Sequence, residues 1–157
     1  MSKGSLKFIR PALAVAAVLA ALTAADAAGE TLRPYRVVGD GIPDPISGTA
    51  GDPARGMEVA ADRQRGNCIL CHTMPMTSSG DGFQGDVAPD LSAIASRLSA
   101  AQIRLRLVDP TRANSETVMP AYYRVDGLNR VAPAFRGKAV LTAEEIEDVI
   151  AYLLTLR

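Results

Sequence analysis

One pentapeptide constrains this chain more than any other feature: Cys68-Ile69-Leu70-Cys71-His72. It holds both cysteines and the only histidine of the 157 residues. On a helical turn, positions i, i+3 and i+4 share one face. The two sulfurs and the imidazole are therefore presented together. C-x-x-C-H is the attachment signature of c-type haem. Two thiols bond the two vinyl groups while the imidazole reaches the iron from the proximal side. Other uses of the pair fit less well. A zinc site wants four ligands, and the chain has no further thiol or imidazole. A thioredoxin-like dithiol wants a strand and a βαβ pattern around it, which the sequence lacks. A structural disulfide leaves the adjoining histidine without a role. The cofactor expected is one covalently bound haem c, held by Cys68 and Cys71 with His72 on the iron.

The second axial ligand follows by elimination. With a single histidine, bis-histidine ligation is impossible. Met1 belongs to the leader described below, and Met57 lies on the helix entering the motif. Met74 and Met76 stand two and four residues past His72. An extended residue spans at most about 3.6 Å, too little for Met74 to round the porphyrin edge and barely enough for Met76. Met119 comes 47 residues after His72, in an irregular loop, and Pro120 restricts the backbone beside it. Met119 is the expected ligand. The alternatives are a buried gap-filling methionine, with a weaker ligand on the iron or an open site, as in a haem enzyme or gas sensor. Thioether ligation raises the reduction potential. Pro89 is placed to line the proximal side, where a backbone carbonyl accepts from the His72 ring N–H and sets its tautomer; on the plainer reading it is a turn proline.

The rest of the chain reads as mostly helical with long loops. Asp52-Pro53 is an N-cap followed by proline at the first helical position. It predicts a helix from Pro53 to about Arg65, with Met57, Val59 and Ala60 inward and Gly56 at a close helix crossing, its partner Tyr152. Cys68–His72 follows as a further helical turn, and Met74–Val87 is a loop with Gly80, Gly82 and Gly85. Ser99-Ala100-Ala101-Gln102 is a capping box opening a helix that stops before Asp109-Pro110. Thr111–Leu141 is irregular. Thr142-Ala143-Glu144-Glu145 is a second capping box with acids at the positive helix end. Ile146, Val149, Ile150, Leu153 and Leu154 then recur at helical spacing. The domain, Asp52–Arg157, is short of aromatics. Residues 28–157 hold six: Tyr35, Phe83, Tyr122, Tyr123, Phe135 and Tyr152. A buried porphyrin supplies the missing apolar mass, so the haem-free chain is expected to fold poorly.

The N-terminus reads as a leader. Lys3, Lys7 and Arg10 precede an apolar run, Ala12–Leu22, and Ala25-Asp26-Ala27 is a small-residue cleavage site. This is the layout of a secretory signal. Eleven residues rise only about 16 Å as a helix, against a hydrocarbon core of about 30 Å. The expected order is a signal peptide over 1–27, an extended arm over 28–51 and a cytochrome c domain over 52–157. The arm is rich in Gly, Pro and Asp, yet Tyr35, Val37, Val38, Ile42 and Ile46 equip it to pack on the domain or on a partner. The whole chain balances 17 basic against 17 acidic residues. Without residues 1–27, 14 basic and 16 acidic residues remain, of which 13 of the basic ones are arginine. A mildly acidic chain with no basic run is a poor nucleic-acid binder. Arginine forms planar, two-pronged pairs with carboxylates. One or two are expected to neutralise haem propionates, and any other single arginine to be solvated. With His72 on iron and both sulfurs bonded, no imidazole base or free thiol remains for substrate chemistry.

Several segments carry a resemblance. They are Gly39-Asp40-Gly41-Ile42-Pro43, Gly51-Asp52-Pro53-Ala54-Arg55-Gly56, the haem motif, Phe83-Gln84-Gly85, Ala88-Pro89-Asp90-Leu91, Arg104 to Asp109, Met119-Pro120-Ala121-Tyr122-Tyr123-Arg124 and its continuation to Leu128, and Leu141 to Val149. From about Val38 to Arg157 the chain resembles the SoxX family, the monohaem subunits of SoxAX cytochrome complexes in bacterial sulfur oxidation. The Met119–Arg124 block and the Gly39–Pro43 arm are the most specific parts. The resemblance implies an all-α, class I cytochrome c-like single domain with His72 and Met119 as ligands. It implies a periplasmic heterodimer with a SoxA-type larger cytochrome, which the arm helps to grip. It also implies an activity for that complex, L-cysteine S-thiosulfotransferase. Thiosulfate is coupled oxidatively to a cysteine of the SoxYZ carrier, and two electrons leave through the haems to a downstream acceptor. The alternative is a free soluble periplasmic cytochrome c carrier without a fixed partner.

Overall fold

The computed structural model describes residues 31–76 and 84–157. The expected signal peptide, the first arm residues, Gly80, Gly82 and Phe83 lie outside the described residues. Among the described residues three α-helices form where the capping residues place them: α1 (Pro53–Ala61), α2 (Ala100–Val108) and α3 (Ala143–Leu153). Among the described residues there is no strand, only one isolated bridge between Val38 and Gly41. Asp52 caps α1 by accepting from Arg55 N at 2.9 Å. Both predicted capping boxes are present: Ser99 with Gln102 on α2, and Thr142 with Glu145 on α3.

α1 stops earlier than its sequence predicts, at Ala61 rather than near Arg65. The cause is Asp62. Its Oδ1 accepts from Gln64 N at 2.8 Å and its Oδ2 from Arg65 Nε at 2.7 Å. A short acidic side chain bonding the backbone two residues on competes with helix propagation. The chain then folds back, with Gly66 N on Val59 O and Asn67 N on Asp62 O. Thr111–Leu141 is irregular apart from two short 3₁₀ turns, Pro110–Arg112 at its start and Pro133–Phe135 further on.

α1 crosses α3, and two glycines make the crossing possible. A Cβ on Gly56 would sit 1.8 Å from Asp148 O, and one on Gly51 would sit 2.2 Å from Glu147 O. The nearest atoms to Gly56 are the backbone of Asp148 and Val149; the hydroxyl of Tyr152, one turn further along α3, donates to Pro75 O. Asp148, nearly enclosed, accepts from Asp52 N at 2.6 Å and takes the Arg55 fork at 2.8 Å on each prong.

Residues 32–51 belong to the same compact unit as the helices. Ile42 and Ile46 are buried in the common core. Ile42 N donates to Ala101 O on α2 at 3.0 Å, and Ile46 N donates to Glu147 Oε1 on α3 at 2.8 Å. Beneath them lies a buried ion pair. Arg104 (4% exposed) grips Glu147 (3% exposed) with both prongs, Nε–Oε1 at 2.8 Å and NH2–Oε2 at 2.7 Å. Its NH1 donates to Ile42 O at 2.7 Å. One guanidinium therefore ties α2, α3 and the arm together, where the sequence reading expects a solvated arginine. The helices also carry the walls of a cavity. Ile103 and Leu107, one turn apart on α2, and Val149 and Leu153, one turn apart on α3, all face it.

Candidate haem site

The haem-motif turn begins at Asn67, which takes a left-handed conformation (φ 47°). Asparagine tolerates that region better than most residues. Cys68–Leu70 is a 3₁₀ turn, tighter than the helical turn expected. Cys71 N bonds Cys68 O at 3.2 Å and His72 N bonds the same carbonyl at 3.0 Å. The i, i+3, i+4 grouping thus survives in the tighter turn. Cys68 and Cys71 are not joined in a disulfide. Burial pushes the Cys68 thiol up to about 11, against a smaller lowering by the Tyr122 hydroxyl. Among the described residues, no three His, Cys, Asp or Glu side chains converge as a metal-ion site.

His72 Nδ1 lies 2.7 Å from Pro89 O. A carbonyl only accepts, so the contact puts the proton on Nδ1 and leaves the Nε2 lone pair for a metal. The expected role of Pro89 is met. A strap holds it there: Gly85 N bonds Ile69 O, Ala88 N bonds Cys71 O, and Leu91 N bonds Thr73 O, all at 2.8–2.9 Å. Gln84 completes the strap. Its amide accepts from Met74 N at 2.8 Å and donates to Met74 O at 3.0 Å, as a strand neighbour would. No local propensity marks Gln84 for this; only its place in a recognisable segment does.

A cavity of about 650 Å³ adjoins the turn. Cys68, Cys71, His72 and Met119 all line it. Met74, only 2% exposed, lines it too, so the cavity holds two thioethers where tether length singled out Met119. Met76 and Met57 are not in its wall; Met76 Sδ instead takes the Tyr152 hydroxyl at 3.6 Å. The volume falls within the roughly 300–1,000 Å³ usual for cofactor sites. Its walls are mainly aliphatic, with Ile94, Leu98 and the four helix residues named above. Two cations, Arg97 and Arg106, stand among them. Paired thiols, an oriented imidazole, a thioether, apolar walls and cations for acidic groups together fit a haem. Tyr122 also lines the cavity, and burial raises its hydroxyl pKa, as do the thiols of Cys68 and Cys71. A smaller hollow of about 280 Å³ lies against the arm and contains none of these groups.

Comparison with known proteins agrees with this geometry. Residues 53–157 match the family model described as Cytochrome c. No curated protein matches the chain. Among solved structures, the chain is similar to one described as SoxXA from P. pantotrophus. The two are 32% identical, the match covers 78% of this chain and 93% of that one, and the TM-score is 0.69. It is also similar to the c-type cytochrome SorU from Sinorhizobium meliloti, at 26% identity, 66% and 87% coverage and a TM-score of 0.40. With one C-x-x-C-H run, the cofactor is a single haem c. The chain belongs to the cytochrome c family, as a monohaem cytochrome of the SoxX type.

Proposed function

We propose that this chain is the electron-transfer subunit of a SoxAX-type complex in the periplasm, an L-cysteine S-thiosulfotransferase that oxidises thiosulfate. In this reading Cys68 and Cys71 hold the haem through thioether bonds, and His72 Nε2 and Met119 Sδ ligate its iron. Arg97 and Arg106 balance its carboxylates. When bound, the group supplies one-electron chemistry at a potential raised by its thioether ligand. The chain's own residues do the rest. Pro89 O fixes the imidazole tautomer, the α2 and α3 side chains exclude water, and the two arginines offset negative charge.

Joining a thiosulfate sulfur to a carrier-protein cysteine breaks the thiol S–H bond, forms one S–S bond and releases one proton and two electrons, which leave to the downstream acceptor. The reacting sulfur belongs to the partner assembly in this account, because this chain's own thiols are consumed in holding the haem. The partners are a larger SoxA-type cytochrome, in a stable heterodimer, and, transiently, the SoxYZ carrier and a downstream acceptor. The observation that carries the reading is the extent of the likeness to SoxXA. The matched 78% of the chain is longer than residues 53–157, so it takes in residues ahead of Pro53. A likeness confined to the haem domain would suit any small cytochrome c.

One observation favours the rival, a free soluble carrier. The arm spends Ile42 and Ile46 on its own domain, which leaves Leu32 and Val38 as its exposed large apolar side chains. The native mass of the protein purified from its host decides between the two. A haem-stained complex with a larger c-type cytochrome is expected. A lone monomer at cellular concentration would overturn the proposal.

A further inference from the structure

Met119 reaches the cavity from an irregular stretch between Ala113 and Ala121. Its own backbone is held by Met119 N on Thr117 Oγ1 at 3.2 Å. The firm anchor comes three residues later, at Tyr122. Tyr122 N donates to Leu107 O at the end of α2, at 2.9 Å. Its carbonyl accepts from both Val140 N and Leu141 N, at 2.8 and 3.0 Å. Its hydroxyl, buried, donates to Gly66 O at 2.8 Å. The methionine loop is thus tied, through one phenol, to the residue two positions ahead of the first haem cysteine.

The next residue provides a natural contrast. Tyr123 is also buried, but it serves the arm. Its hydroxyl accepts from Arg33 N at 2.7 Å, and its ring meets Tyr35 edge-on at 6.2 Å between centroids. Of two adjacent tyrosines, one hydroxyl faces the haem turn and the other the arm.

We infer that Tyr122 is a positioning residue for the Met119 ligand: its hydroxyl bond to Gly66 O holds the methionine loop in register with the Cys68–His72 turn. This rests on the reading of Met119 as the iron ligand. Aromatic packing alone would be met by phenylalanine. The hydroxyl adds a distance constraint between the two segments that have to meet at one metal.

The test uses the full-length, haem-loaded protein in the ferric state. Imidazole is titrated in, and loss of the long-wavelength charge-transfer absorption of methionine-ligated haem reports displacement of the thioether. Tyr122→Phe is expected to lower the displacing imidazole concentration about tenfold, the effect of one buried hydrogen bond. Tyr123→Phe is expected to lower the unfolding midpoint and leave the imidazole titration unmoved. An unchanged titration in Tyr122→Phe, with its absorption band normal, overturns the inference. Survival of the band in Met119→Ala instead identifies failure of the ligand reading, and the inference falls with it.

A wild-type measurement covers poor accumulation of the phenylalanine variant. Imidazole displacement is expected to raise amide hydrogen exchange together in residues 117–123 and 64–67. A rise confined to the methionine loop overturns the inference.

Discussion

Removing Glu147 tests the packing of the haem walls directly. The perturbation is Glu147→Leu in the haem-loaded protein. It leaves the Arg104 guanidinium charged and nearly enclosed, with Nε and NH2 unpaired and only NH1 still bonded, to Ile42 O and Pro43 O. Ile46 N loses its acceptor as well. Breaking one side of a buried, fully bonded ion pair costs about 3–5 kcal/mol. A domain of this size loses roughly 3–4 °C of Tm per kcal/mol, so the melting point should fall by roughly 10–20 °C. Arg104→Met should do comparable harm, because it strands the carboxylate. The double variant, Arg104→Met with Glu147→Leu, should be less damaged than either single, since no buried charge remains. Guanidinium titration followed by far-ultraviolet circular dichroism, with slopes compared across the four proteins, reads the cycle. A single variant losing less than about 1 kcal/mol, or a double variant losing the sum of both singles, would refute the reasoning.

Other predictions concern the same framework and the ligands. Gly56→Ala drives a methyl group into the Asp148 carbonyl; overpacking of that kind costs about 1–3 kcal/mol, and the guanidinium midpoint should fall accordingly. Asp148 gives a pH signature. Burial alone would raise its pKa, but the Arg55 fork and Asp52 N–H outweigh burial and hold it below the usual carboxylate value. Its contribution is therefore fully present above the ordinary aspartate value of about 3.9 and is lost as pH falls through the lower folded value. Unfolding midpoints measured down to about pH 2 should fall more steeply for the wild type than for Asp148→Asn. Met119→Ala should abolish the thioether charge-transfer band and open the ferrous protein to carbon monoxide. Met74→Leu, at the other cavity-lining methionine, should keep the band and exclude the gas.

Local chemistry made the helix starts readable. Asp52-Pro53, Ser99–Gln102 and Thr142–Glu145 act within four residues, so their caps form as the sequence indicates. The His72–Pro89 contact was readable too, because a metal-bound imidazole needs an acceptor for its other nitrogen. The end of α1 was harder: Asp62 has a choice between continuing the helix and bonding Gln64 and Arg65, and only the folded turn decides it. Arg104 and Glu147 look like surface residues, because each is charged and their burial depends on a partner 43 positions away. Gln84 and Met74 escaped for a similar reason. Tether length says where Met74 cannot reach, but not that the strap would pin it into the cavity wall. The close crossing at Gly56 is legible from its missing side chain, but that its nearest atoms are the backbone of Asp148 and Val149 is a register that hydrophobic spacing does not specify.

The central claim is a haem covalently attached through Cys68 and Cys71. The most direct measurement is the intact mass of the denatured protein after expression with a working cytochrome-maturation system. The account predicts the polypeptide plus one haem, retained through acid and organic solvent, and no such adduct in the Cys68→Ala, Cys71→Ala double variant. A wild-type mass equal to the bare polypeptide would contradict it.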